Sequence, residues 1–239
     1  MNAAARPGWG LPHLALSGMT AAVVAASSLG GLGTLNSVDL SGLRAAFGAT
    51  PQTAQQFASA PEIPPAPPFV LHAGAADAAQ AVRCLAQAVY FEAGFQPVEG
   101  KRAVAQVVLN RVRDRDFPKT VCGVVYQGWT RKTGCQFSFV CDGSLRRRPP
   151  SADEMVSASA IAQDALSGYV MAAVGTATHY HTWKVDPYWN DTLVKTAQIG
   201  DHIFYRWPGK AGQPTFLQPE RYAGNEVKAA THAPRIALG

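Results

Sequence analysis

Charge is scarce in this chain. Asp, Glu, Lys and Arg make up 15% of its 239 residues, against about 25% in an average soluble domain. Small residues, Ala, Gly and Ser above all, take their place. The signatures of nucleic-acid binding are missing as well, with no aromatic-and-basic repeat, zinc finger or recognition-helix pattern. A formal net charge of +5 therefore favours anionic surfaces in general and selects no nucleic acid. No Cys-x-x-Cys occurs, which argues against structural zinc. No Gly-x-Ser-x-Gly surrounds a serine, Ser138 included, which argues against a nucleophile elbow. No segment repeats. What is present suffices for a core, since 47% of the residues are hydrophobic.

Formal charge disappears altogether between Arg6 and Asp39, and apart from His13 residues 11–35 are apolar or small. A short positive start followed by such a stretch has the layout of a secretory signal peptide. It is also long enough for an uncleaved signal anchor. Residues 1–35 are read as one or the other, and the expected location is the periplasm or cell envelope. The four cysteines, Cys84, Cys122, Cys135 and Cys141, fit an oxidising compartment where they pair. Three connectivities are open, and the sequence selects none.

Residues 36–76 end in the run Pro61-Glu62-Ile63-Pro64-Pro65-Ala66-Pro67-Pro68 and read as a stiff, Pro-rich linker. Residues 208–239 turn to Pro, Gly, Ala and polar residues and read as a loosely ordered tail. The catalytic domain is expected over 77–207. Asp77 and Gln80 form a capping-box pattern ahead of Ala81, Leu85, Ala88 and Val89, which recur at helical spacing. Gly94 supplies a stop. Pro97 opens a second helix to about Arg113, with Val104, Val107, Val108 and Val112 inward. Ser151 and Glu154 cap a third that ends near Gly168. Residues 177–182 alternate as a strand, with 203–205 as its partner. Helices followed by a small antiparallel sheet give an α+β domain.

Glu92 lies on the apolar face of the first helix, seven residues from Leu85 and three from Val89. Desolvation and the negative end of the helix dipole both raise a carboxyl pKa there. A carboxyl that keeps its proton is what a general acid for a glycosidic oxygen requires. A plain rim glutamate with its head in water satisfies the same spacing. Arg111 falls on an inward stripe and needs a carboxylate or carbonyl partner. Asn110 beside it can hydrogen-bond substrate or a loop. His179 and His181 share one face of the strand, with His202 as a third imidazole, and a hydrogen-bonded strand face explains them as readily as a metal site. Trp183, Tyr188 and Trp189 suit packing against sugar rings or a core. The segment 135–143 is expected to border a cleft as a loop or short strand, and Cys135 with His179 makes a thiol-nucleophile alternative.

Residues 86–93 and 100–112 together resemble the cell wall hydrolase family that includes the spore cortex-lytic enzymes (SleB-like). Three further blocks match in order. These are Phe117-Pro118 through residues 121–127, then Gln136-Phe137-Ser138-Phe139 with Asp142-Gly143, then residues 177–182 ahead of Pro187-Tyr188-Trp189. The resemblance covers about residues 83–206. It implies a compact lysozyme-like domain that cleaves the peptidoglycan glycan strand as a lytic transglycosylase or muramidase, with Glu92 as the catalytic acid. Where the family commonly has Glu-Ala-Arg-Gly-Glu, this chain reads Glu92-Ala93-Gly94-Phe95-Gln96, so an Arg and a second Glu are missing near the acid.

The expected substrate contacts are Asn110, Gln136, Ser138, His179, Tyr180, His181 and Trp189. A single-acid transglycosylation is preferred, and Asp142 and Glu99 are the second carboxylates that hydrolysis would use. No metal or cofactor is called for. The expected partner is peptidoglycan, with the N-terminal segment as membrane anchor, no nucleic acid, and an open oligomeric state. Two alternatives stand beside this reading: a metal-dependent amidase or peptidase using His179, His181 and a carboxylate, and a non-catalytic wall-binding module.

Overall fold

Small apolar residues at helical spacing decide how the helices pack. The computed structural model describes residues 64–147 and 149–231. The expected leader, linker residues 36–63 and tail residues 232–239 lie outside the described residues. Helix α1 (Ala75–Ala93) buries Ala81, Cys84, Leu85, Ala88 and Val89, one face at three- and four-residue steps. Helix α2 (Val98–Arg113) is buried on every side from Ala103 to Arg113, which makes it the central helix of the domain. Helix α3 (Val121–Val125) is a single short turn capped by Thr120, and α4 (Ser144–Arg147) is shorter still. Helix α5 (Ala152–Leu166) begins with the full Ser151–Glu154 capping box and buries Ala158, Ile161, Ala162 and Ala165. The main core lies among α1, α2, α3 and α5. No helix among the described residues is long and apolar enough to cross a membrane.

Three antiparallel strands follow, β1 (His179–Thr182), β2 (Val194–Ile199) and β3 (His202–Arg206), in the order β1-β3-β2. Residues 203–205 partner β1 as expected, with His179 opposite Tyr205 and His181 opposite Ile203. A second, smaller core of Val107, Val174, Ala177 and Phe204 joins the sheet to α2. The architecture is α+β, mainly helical with a small antiparallel sheet. The β2–β3 turn is pinned from outside: Gln96 Oε1 accepts from Asp201 N at 2.9 Å. Gly200 has φ +56°, and a Cβ there would sit 2.0 Å from Gln96 Oε1, so only glycine fits.

Three boundaries differ from the sequence expectation. Helix α1 begins at Ala75, and its N-cap Gly74 makes no side-chain bond. Asp77 lies inside the first turn and accepts instead from Val227 N at 2.9 Å. The end of the expected linker is packed on the domain: Ala66 and Phe69 are buried, Val70 bridges Ser167, and Arg113 Nη1 donates to Pro67 O at 2.6 Å. The buried guanidinium of Arg113 needs that carbonyl, which draws the chain in.

Residues 208–231 are ordered where a loose tail was expected. Three 3₁₀ turns (Gly209–Gly212, Pro214–Phe216 and Pro219–Arg221) lead to α6 (Glu226–Ala229). Glu226 has no exposed surface. It accepts from Val121 N at 2.7 Å and from Cys122 N at 2.8 Å, capping α3.

Two disulfides form, Cys84–Cys122 between α1 and α3, and Cys135–Cys141 across the loop before α4. The first is wholly buried. The second is partly exposed at both cysteines.

Candidate active site

Helix α1 carries Glu92 to the wall of a cleft of about 350 Å³. To the same cleft α2 contributes Arg111, β1 contributes His179 and Tyr180, and the chain after β1 contributes Trp189. The loop closed by Cys135–Cys141 supplies Gln136 and Ser138, the latter opening a short 3₁₀ turn (Ser138–Val140). A larger groove of about 470 Å³ runs along the outer side of α5, and its lining, from Pro150 to Gln163, contains no ionisable side chain. The smaller cleft is the one that gathers Glu92, Arg111, His179 and Tyr180.

Glu92 is half-buried, and its carboxyl pKa is raised, first by that burial. Two groups pull the other way. The Tyr180 hydroxyl donates to Glu92 Oε2 at 3.0 Å, and the positive Arg111 favours the ionised form. Asp142 adds a smaller upward push. Burial is the larger effect. Tyr180 in turn is held well above the ordinary phenol value by burial and by the neighbouring Glu92.

Arg111 is fixed at both ends of its guanidinium. Its Nε donates to Thr178 O at 2.7 Å. The Gln136 amide, with its oxygen facing the guanidinium, accepts from Nη1 and Nη2 at 3.2 Å each. The rings of Phe117 and Phe137 lie 5.4 and 5.3 Å from its central carbon, within cation–π range. Burial lowers its pKa to about 10, so it stays charged at neutral pH. The same charge, after burial, helps push His179 down to about 4. His179 is thus a neutral imidazole. Its Nδ1 lies 3.0 Å from Thr178 Oγ1, and its ring stands between Trp189 and Trp207, 5.4 and 4.8 Å away.

Two expected substrate contacts are built into the fold instead. Asn110 is fully buried. Its Nδ2 donates to Gly175 O at 2.9 Å and Ala177 O at 2.8 Å, and its Oδ1 accepts from Gln106 and Arg113. Its two amide N–H bonds hold α2 to the segment before β1, and its oxygen is taken up within α2. His181 is buried too, with Nε2 2.9 Å from Tyr205 Oη and Nδ1 2.9 Å from Thr182 O. Strand alternation alone cannot show that its partner strand fills that face. Among the described residues no group of three or more His, Cys, Asp or Glu is placed to hold a metal ion. Cys135 is in the cleft wall but bonded to Cys141, so it offers no thiolate.

The sequence reading missed the part Trp207 plays. Its indole donates to Asp114 Oδ2 at 2.8 Å while its face backs His179. A tryptophan just past a predicted strand was the one available signal.

The family model described as Cell Wall Hydrolase matches residues 95–205. The catalytic domain of the germination-specific lytic transglycosylase SleB from Bacillus anthracis is 32% identical to this chain over 94% of that domain's length. This chain belongs to the cell wall hydrolase family. That Bacillus anthracis structure covers 53% of this chain with a TM-score of 0.43. The catalytic domain of the Bacillus cereus SleB protein is 29% identical, covering 58% of this chain and 95% of that one, with a TM-score of 0.45.

Two spore cortex-lytic enzymes are also similar. The one from Bacillus subtilis (strain 168) is 32% identical over 124 residues, 52% of this chain and 36% of that protein. The one from Oceanobacillus iheyensis is 34% identical over 124 residues, 52% of this chain and 40% of that protein. The match thus spans little more than a third of these curated relatives.

The cell wall hydrolase match begins just after Glu92. It includes Arg111, Gln136, Ser138, His179, Tyr180 and Trp189, the cleft residues that face the acid. Gln96, which stands where the family commonly has its second glutamate, holds the β2–β3 turn through its side-chain oxygen. A neutral amide makes that bond without burying a charge.

Proposed function

We propose that this chain cleaves the peptidoglycan glycan strand between N-acetylmuramic acid and N-acetylglucosamine, with Glu92 as general acid and then base. The observation that carries the reading is a carboxyl with a raised pKa, half-buried in a cleft wall beside a fixed Arg and a donating Tyr. Protonated Glu92 gives its proton to the glycosidic oxygen as the bond to C1 of the muramoyl residue breaks. The resulting carboxylate sits beside the positive charge that develops at C1. It then takes the proton of the muramoyl 6-hydroxyl as that oxygen closes on C1. The products are a free 4-hydroxyl and a 1,6-anhydro end, with no water consumed.

Single-acid transglycosylation is favoured because, among the described residues, no second carboxylate lines the cleft. Glu99 is exposed in the first turn of α2. Asp142, held by Ser144 N at 2.7 Å, is near enough to raise the Glu92 pKa and is the residue hydrolysis would recruit. Gln136, Ser138, His179, Tyr180 and Trp189 are the proposed substrate contacts. Such a substrate places the work in the cell envelope. Residues 1–35 are the segment proposed to bring the chain to the periplasm, as signal peptide or membrane anchor.

Mass spectrometry of the soluble products from purified sacculi tests the reading. Muropeptides ending in 1,6-anhydromuramic acid support it. Reducing ends would replace transglycosylation by hydrolysis, and free stem peptides would overturn glycan cleavage itself.

A further inference from the structure

Two large aromatic side chains stand largely in solvent on the loop that runs into the cleft wall. Tyr188 is 97% exposed and Trp183 57% exposed. They belong to the loop of residues 183–189, which joins β1 to a short 3₁₀ turn (Asn190–Thr192) ahead of β2. Trp189, the next residue after Tyr188, lines the cleft, and adjacent Cα atoms lie about 3.8 Å apart.

The loop is built, not slack. Trp183 N donates to Asp201 O at 2.9 Å, Val185 N to Thr182 O at 3.1 Å, and Asn190 N to Pro187 O at 2.9 Å. Asn190 Nδ2 donates to Asp186 Oδ1 at 3.1 Å, and the Trp183 indole to Asp201 Oδ1 at 3.2 Å. Exposed aromatics carried on a hydrogen-bonded loop cost solvation beyond what the fold requires. Rings held in advance of binding are what a contact surface requires.

We propose that this loop is a second glycan-binding platform, on which Tyr188 and Trp183 take the N-acetylated amino-sugar rings of the strand beyond the cleavage site. The inference rests on the glycan-cleaving reading of the cleft and adds that the substrate is a long polymer. Pyranose rings present flat faces of C–H bonds, and an aromatic face stacks on them with dispersion and weak polar attraction. The occupant is a continuation of the strand already in the cleft, because Trp189 and Tyr188 make one unbroken run from the cleft wall to the loop surface.

The test compares Tyr188→Ala, Trp183→Ala and the double variant with the wild-type chain on two substrates, intact sacculi and a purified tetrasaccharide muropeptide. The expected result is a three- to tenfold loss of kcat/KM on sacculi per variant, the scale of one aromatic contact, with tetrasaccharide turnover unchanged. Binding to sacculi, read by co-sedimentation in a Glu92→Gln background, falls in parallel. Variants equal to wild type on sacculi overturn the platform. Equal losses on both substrates overturn it too, assigning the loop to the cleft or the fold, and the near-complete exposure of Tyr188 makes its variant safe for folding. A change in oligomeric state without a change in sacculi binding makes the loop a protein contact and also overturns it. If the wild-type chain releases no glycan fragments from either substrate, the reading of the cleft has failed instead.

Discussion

The Tyr180 hydroxyl reaches Glu92 Oε2 across 3.0 Å and 88 positions of sequence, joining the sheet to the first helix at the acid itself. With its hydroxyl donating, Tyr180 occupies Oε2 and leaves the other oxygen of Glu92 without this bond. This bond favours the ionised form, burial opposes it, and burial is the larger effect.

Replacing Glu92 by Gln removes the transferable proton and abolishes turnover. The same change stabilises the fold at neutral pH. A carboxyl whose folded pKa lies above its ordinary 4.5 binds its proton more tightly when folded, so stability falls as pH rises from about that value through the folded pKa. The amide does not titrate. Thermal melts of both proteins should separate above pH 4.5, with Glu92→Gln higher, and converge below it. A lower melting temperature for the variant at pH 7 would contradict the burial argument.

The rate should descend on the alkaline side as Glu92 loses its proton. Removing the positive charge with Arg111→Gln takes away one of the two groups holding that pKa down, so the descending limb in kcat/KM moves to higher pH as overall activity drops. His179, already neutral above about pH 4, contributes no inflection between pH 5 and 8. A limb that stays in place in Arg111→Gln would show that the guanidinium does not act on the acid.

Reduction should proceed in two stages. Cys135–Cys141 is partly exposed and closes a short loop, while Cys84–Cys122 is buried and spans 38 positions. Chain-entropy arguments assign them about 2 and about 4 kcal/mol respectively. Mild dithiothreitol followed by alkylation and peptide mass spectrometry should label Cys135 and Cys141 first. Activity should fall at that stage while the melting temperature changes little, because Gln136 and Ser138 are freed from the cleft with the core intact. Simultaneous labelling of all four cysteines would refute the order.

Glu226 supplies a contrasting carboxylate. Burial raises its pKa as well, yet Glu226→Gln should destabilise the domain by about 1–3 kcal/mol. Its two oxygens accept from two buried backbone N–H groups, and an amide offers only one acceptor. Urea denaturation at pH 7 measures the difference. Removing residues 208–239 should cost more, since Gln218, Ala223 and Glu226 all bond back to the domain.

The sequence located the elements whose signals are local. Helices α2 and α5 start at the proline and the capping box that announce them, and β1 with β3 follows its alternation. It misjudged positions whose partners lie far away along the chain. Asp77 looked like a cap because Gln80 follows it, but its true partner is Val227. Asn110 and His181 looked like substrate contacts because they are polar beside the motif, yet the carbonyls and hydroxyl that satisfy them come from other elements. Strand β2 gave no alternation to read because it is an edge strand with little buried surface. The Arg111–Gln136 bond was out of reach for the same reason, although both residues had been singled out.

The α3 cap has a consequence for how this chain comes to be folded. Val121 and Cys122 leave the ribosome long before Glu226 does, and until Glu226 follows them their buried N–H groups have no acceptor. The α3 turn therefore gains its acceptors only when the segment around Glu226 has joined the domain.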